Sequence, residues 1–171
     1  MTSIGNTVIA PLGIYSKKKL KDKAVIAIPN DATNGGRALK LLATAGLIKL
    51  KKGSGDTLTV KDIIENKKYL VIKALDASQT ARSLQSGDTA VINNGVAVDA
   101  GLTPKKDAIY LETLNKASKP YVNVIATRKR DVNNKTYQKI VKAYQTEVTK
   151  KVIAKTSKGG SVVVWEKFGK K

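Results

Sequence analysis

Asn34-Gly35-Gly36-Arg37 is the stretch of this sequence whose residue types and spacing point most directly to chemistry. The planar fork of an arginine takes a carboxylate or phosphate in two parallel hydrogen bonds. Unpaired N–H groups at a helix start attract the same anions, and a glycine pair lets them come close to the backbone. A cation in the first helical turn is slightly unfavourable for the helix itself, which makes sense if an anion docks there. On this motif alone a solvated arginine beside an ordinary capped helix is the simpler reading. The stretch is not a P-loop, since neither GxxxxGK[ST] nor GxGxxG occurs in the chain. Asn93 and Asn123 are two further polar candidates, although a lone asparagine is more often a turn former or a satisfied core amide.

The elements that must position these groups follow from the hydrophobic pattern. Ala24 to Ile28 reads as a buried strand, stopped by Pro29-Asn30-Asp31. Thr33 or Asn34 can cap the next helix, whose apolar stripe is Ala38, Leu39, Leu41, Leu42 and Ala45, with Gly46 as its stop. Thr59-Val60-Lys61-Asp62 resembles a capping box opening a short helix through Asn66. Tyr69 to Leu75 predicts a second buried strand, Ala77 to Leu84 a helix, and Thr89 to Ile92 a third strand ended by Asn93-Asn94-Gly95. Val96 to Ala100 predicts a short helix, Ala108 to Glu112 a fourth strand, and Pro120 to Thr127 a further apolar run. Asn134 to about Ser157 predicts a helix with Val141, Tyr144, Val148 and Val152 on one face, and Ser161 to Trp165 a closing strand. Residues 1 to 10 are weakly patterned, and Pro11 to Ser16 reads as extended. Alternating strands and helices indicate an α/β fold with a mostly parallel sheet, which binds ligands at the carboxyl ends of its strands. The Asn30 to Arg37 loop, Asn93 and Asn123 all fall at or near such ends, and that convergence is more informative than any one of them.

The 171 residues include no Cys and no His, which removes Cys/His zinc sites, thiol nucleophiles, histidine bases and disulfides. With 13 Asp and Glu and no paired set in an evident loop, no catalytic constellation is visible, so the reading is not an enzyme and needs no cofactor or metal. No apolar run approaches the roughly 20 residues that span a bilayer, and the first residues lack a signal-peptide pattern or a lipidated Cys, so the chain as written reads as soluble. The net charge of +19 raises non-specific polyanion binding as a candidate. Only four of the 32 basic residues are arginines, aromatics make up 5%, and the lysines are scattered in short clusters. Specific nucleic-acid recognition is therefore disfavoured, and a solvated lysine coat is the plainer reading.

Taken together these segments resemble the NlpA-type methionine-binding lipoproteins, the substrate-binding components of methionine ABC importers. The similar pieces are Gly5 to Thr7, Pro11 to Lys18, Ile28 to Gly53, Gln79 to Leu84, Asp88 to Asn93, Ala100 to Glu112 and Pro120 to Arg128. The resemblance implies a periplasmic-binding-protein-like fold, with one near-complete lobe over 13–126 and part of a second lobe from 1–12 and 127–171. It also implies that Arg37 grips a ligand α-carboxylate, supported by Asn34, while Asn93 and Asn123 hold the amino and carboxylate groups. An amide supplies both the donor and the acceptor that a zwitterion needs. The implied partners are methionine or a related amino acid and an ABC permease, at an extracytoplasmic, membrane-anchored location. The family's preceding strand–helix section, with the aromatics that enclose the methionine side chain, and its lipidated leader have no counterpart here. Alternatives are therefore a truncated structural module that does not bind, with homo-oligomerisation through the incomplete lobe, and a non-specific polyanion binder.

Overall fold

A computed structural model of the chain describes residues 1–53, 55 and 58–169. Lys51 to Gly55, whose sequence reads as a polar glycine-bearing loop, therefore lies partly outside the described residues, and the terminal pair Lys170-Lys171 wholly so. The chain divides into two compact units, one formed by Met1–Pro11 with Thr113–Lys171 and the other by Leu12–Glu112. Its strands and helices run β1 (Thr2–Asn6), β2 (Val8–Ile9), β3 (Gly13–Ser16), β4 (Val25–Pro29), α1 (Ala32–Thr44), β5 (Lys49–Leu50), β6 (Ile63–Glu65), β7 (Val71–Leu75) and α2 (Ala77–Ser83). Then follow β8 (Thr89–Ile92), α3 (Asn94–Asp99), α4 (Pro104–Asp107), β9 (Tyr110–Leu111), β10 (Val124–Thr127), α5 (Lys135–Tyr144), α6 (Glu147–Thr156) and β11 (Val162–Val163).

The Leu12–Glu112 unit is built on a five-stranded sheet of order β7-β4-β8-β3-β9. β4 runs parallel to β7 and β8, whereas β3 pairs antiparallel with both β8 and β9, so β3 alone is reversed. The sheet is mixed rather than mostly parallel at its β3 side, because Pro11 to Ser16 enters from the opposite end. Period-two alternation divides its side chains between two faces. Ile14, Ile26, Ile28 and Val91 pack with Ala38, Leu39, Leu41 and Leu42 of α1. Tyr15, Ala27, Ala90 and Ile92 face the other way and pack with Leu84 and Ala97.

The observed elements sharpen several expectations. The box at Thr59 exists, with Thr59 N donating to Asp62 Oδ2 at 2.8 Å, but it opens only a single 3-10 turn over Val60–Asp62. The β-branched pair Ile63-Ile64 then goes into β6, which pairs with β5. The second strand is not buried: β7 lies at the sheet edge with Val71, Lys73 and Ala74 exposed, as a lysine-bearing edge strand should be.

In the Met1–Pro11 and Thr113–Lys171 unit, β1 pairs antiparallel with β10, and β2 with β11. The first ten residues thus form strands despite their weak pattern, since β10 and β11 supply the partners. That pairing also takes 113–126 into this unit, ahead of the boundary at 126 that the resemblance implies. The long C-terminal helix is two helices: Gln145 leaves helical geometry and Thr146 caps α6, accepting from Thr149 N at 3.2 Å. Val141 is buried and Tyr144 meets Trp165 edge-on at 5.8 Å, while Val148 and Val152 stay exposed. Among the described residues no helix is long and apolar enough to cross a membrane.

Candidate functional site

In sequence order, the three parallel strands β4, β7 and β8 lie as second, first and third across the sheet. The connection from β4 leads to β7 on one side and that from β8 leads to β9 on the other, which makes the gap between the carboxyl ends of β4 and β8 the switch point where such sheets bind ligands. Asn30 and Asp31 follow β4 there, and Asn93 follows β8.

Local chemistry builds the β4–α1 joint. Asp31 is extended (φ −73°, ψ 148°), and its carboxylate accepts from Asn34 N at 2.9 Å. Asp31 is thus the cap expected at Thr33 or Asn34, because its side chain reaches the third helical N–H from an extended backbone. A carboxylate of the chain itself already occupies the helix start. The Asn34 side chain donates to the two Asp31 oxygens, each at 3.1 Å. Gly35 is required here, since a Cβ would stand 2.8 Å from the Pro29 carbonyl oxygen. At the other end Gly46 takes φ +73° and Leu47 N reaches back to Leu42 O at 3.0 Å, the helix stop the sequence announces.

Arg37 has a partner that sequence reasoning did not assign. Its Nε donates to Glu112 Oε1 at 2.9 Å and its Nη2 to Glu112 Oε2 at 2.5 Å, with the two side chains 8% and 15% exposed. Glu112 Oε2 also accepts from Leu12 N at 3.0 Å. The guanidinium fork expected on a ligand carboxylate is therefore laid on a carboxylate of the same unit. Glu112 was read only as the end of a strand, and no local pattern could have paired it with a residue 75 positions away.

Asn93 caps α3 by position, with φ −62° and ψ 143°, but its side chain makes no capping bond. Its Oδ1 is buried and has no hydrogen-bond partner among the described residues. A buried acceptor left in that state costs about 1–3 kcal/mol, so the atom is poised for a donor. Arg37, Asn34 and Asn93 belong to one unit. Asn123 belongs to the other, where it is exposed and its Nδ2 donates to Val8 O at 3.3 Å while its backbone bonds Thr7 and Val8. A hollow of about 620 Å³ in that unit, lined by Ile4, Ile125, Thr127, Arg128, Tyr137 and Ile140 among others, contains none of the four.

Tyr15 is a second buried group the sequence did not single out. Its ring lies over Gly13, within 3 Å of where a Cβ would be, and its hydroxyl has no partner among the described residues. Burial, and then the Asp107 carboxylate, push its pKa up to about 12. The unfolded chain loses this proton near pH 10, so the native state is favoured below that pH, and the advantage is lost as pH rises to about 12. Chemical denaturation should show wild type losing about 2 kcal/mol more than Tyr15→Phe between pH 9 and pH 12. Asp76 is held below the usual carboxylate range by the Ser78 hydroxyl and N–H, which it accepts from as the cap of α2. Among the described residues no acidic cluster could hold a metal ion.

The sequence profile of the NlpA lipoprotein family matches residues 1–165. A probable D-methionine-binding lipoprotein MetQ of Vibrio cholerae is 44% identical over 167 residues, covering 95% of this chain and 61% of that protein. The chain thus spans about three-fifths of the length of the curated relatives it matches. Protein PG110 of Staphylococcus aureus superposes with a TM-score of 0.88 at 52% identity, over 95% of this chain and 66% of that one. A nutrient-binding protein of Burkholderia cenocepacia, solved bound to methionine, superposes with a TM-score of 0.87 at 47% identity, over 95% and 70%. The mixed α/β architecture is that of periplasmic substrate-binding proteins, and the chain belongs to the NlpA lipoprotein family.

Proposed function

We propose that this chain binds methionine or a closely related amino acid, without catalysis, as part of a substrate-binding protein that delivers it to an ABC permease. The observation that carries the reading is the unpartnered Asn93 Oδ1 at the switch point of the sheet, an acceptor suited to a ligand ammonium group. Its placement at the end of β8, beside the capped start of α1, supports a polar subsite between Asn93 and the Asn30–Asn34 loop. The likeness to a protein solved with methionine supports the choice of ligand. In this reading Arg37 is a positioning residue: through Glu112 it fixes the second turn of α1 to the end of β9 and the start of β3.

Calorimetric titration and thermal shift with L- and D-methionine test the proposal. A ligand that binds only the native state raises the melting temperature as its concentration passes Kd. Asn93→Ala should weaken binding about tenfold or more with little change in unliganded stability, the scale of one hydrogen bond to a charged group. A folded wild-type sample that shows neither heat nor shift at millimolar methionine would overturn the reading.

A further inference from the structure

The two ends of the five-stranded sheet carry different charge. Lys17, Lys18, Lys19, Lys21 and Lys23 fill the connection from β3 to β4, and Lys67 and Lys68 precede β7. All seven are exposed. Topology brings them to one edge. Ser16 pairs with Thr89 and Val25 with Val71, so the end of β3 and the beginnings of β4, β7 and β8 lie side by side. Lys23 N donates to Lys68 O at 2.7 Å, tying the two lysine-bearing loops together, and Lys18 Nζ reaches over Gly87 just ahead of β8. The nearby acids are Asp22, bridged to Lys68 at 3.4 Å, Glu65, shared by Lys49 and Lys67, and Asp88. The opposite edge carries Asn30, Asp31, Asp76 and Asn93 and no lysine at those strand ends.

An aromatic ring stands at the β7 end of this basic edge, beside Lys67 and Lys68. Tyr69 follows Lys67-Lys68 directly and is 71% exposed. Its backbone is left-handed, with φ +52°, as is that of Lys23 at +59°. A non-glycine residue in that region is strained and persists only where its surroundings fix it. Asn66 fixes it: its carbonyl accepts from Tyr69 N at 3.0 Å, and its side-chain amide takes both Leu70 N and Leu70 O at 2.9 Å. The loop thus holds an amphipathic ring outward among lysines. A soluble polyanion needs only the charge. A ring with an apolar body and a polar tip suits the headgroup layer of a bilayer.

We propose that the amino edge of the Leu12–Glu112 sheet, Lys17–Lys23 with Lys67 and Lys68, docks on an anionic lipid surface, with Tyr69 entering the headgroup layer. The charge difference between the two edges then turns the carboxyl edge, with Asn93, away from the lipid. Each lysine near an anionic surface adds to the attraction, which falls off within a Debye length.

Sedimentation of the full chain with vesicles tests this, without methionine and so independently of the proposed function. Binding is expected to phosphatidylcholine vesicles containing phosphatidylglycerol at low salt, to fall steeply as salt is added, and to be absent with phosphatidylcholine alone. The variant Lys17→Glu/Lys19→Glu/Lys67→Glu should lose at least about tenfold in partitioning. Lys135→Glu/Lys139→Glu/Lys142→Glu on α5, which changes the net charge equally, should lose far less. Tyr69→Ser should lower vesicle partitioning by about threefold while leaving retention of duplex DNA unchanged. Equal losses in the two triple variants, no binding at low salt, or a Tyr69→Ser variant that binds vesicles like wild type would overturn the proposal.

Discussion

Arg37→Ala is expected to lower the stability of the Leu12–Glu112 unit by about 3–5 kcal/mol, measured by urea or thermal unfolding without ligand. The change removes the donors that hold both Glu112 oxygens and leaves a charge that is 15% exposed with Leu12 N as its remaining donor among the described residues. Most of the loss comes from that stranded carboxylate. Removing both partners, Arg37→Ala with Glu112→Ala, should therefore cost less than the sum of the single changes by about 1 kcal/mol or more. A single-variant loss below about 1 kcal/mol would place the pair among solvated surface bridges. The prediction bears on function too. Reduced ligand binding by Arg37→Ala bears on the positioning of the site only at temperatures where the variant is still folded.

Leu42→Ala should cost about 2–5 kcal/mol, with the urea midpoint falling and its slope unchanged. Leu42 is fully buried on α1 and packs in the cluster formed by Ile26, Ile28, Leu39 and Val91, so its removal leaves a hole lined by rigid strand residues. Val148→Ala, on a side chain 72% exposed, should stay within about 0.5 kcal/mol and serves as the control. If the two variants unfold together, α1 is not anchored through this face.

Much of this architecture was legible from local pattern. Ala24 to Gly46 announced a strand, a turn, a helix and its stop because each signal acts within a few residues, and β8 occupies Thr89–Ile92 as read. Errors arose where a distant partner decides. Thr59 to Asp62 has the right box, but Ile63 was drawn into a ladder with β5. The Lys135–Thr156 helical stretch breaks where Gln145 donates to Asn6 O, a contact spanning 139 positions. The same limit governs the site. Asn93 could be named from its place after an apolar run, yet its orphaned carbonyl oxygen appears only in three dimensions. Arg37 was read from the sequence as a carboxylate fork for a ligand, and only the register of β9 against β3 delivers the Glu112 carboxylate to it.

That register has one more effect. Gly13 pairs with Leu111, and Glu112 N bonds back to Leu12 O at 2.9 Å, so the chain enters and leaves this unit through adjacent strands. Its beginning and end stand roughly one strand spacing, about 5 Å, apart. A segment with such neighbouring ends behaves as a graft: it can be excised, or its termini rejoined by a short linker and new ones opened elsewhere, with little strain on the remainder.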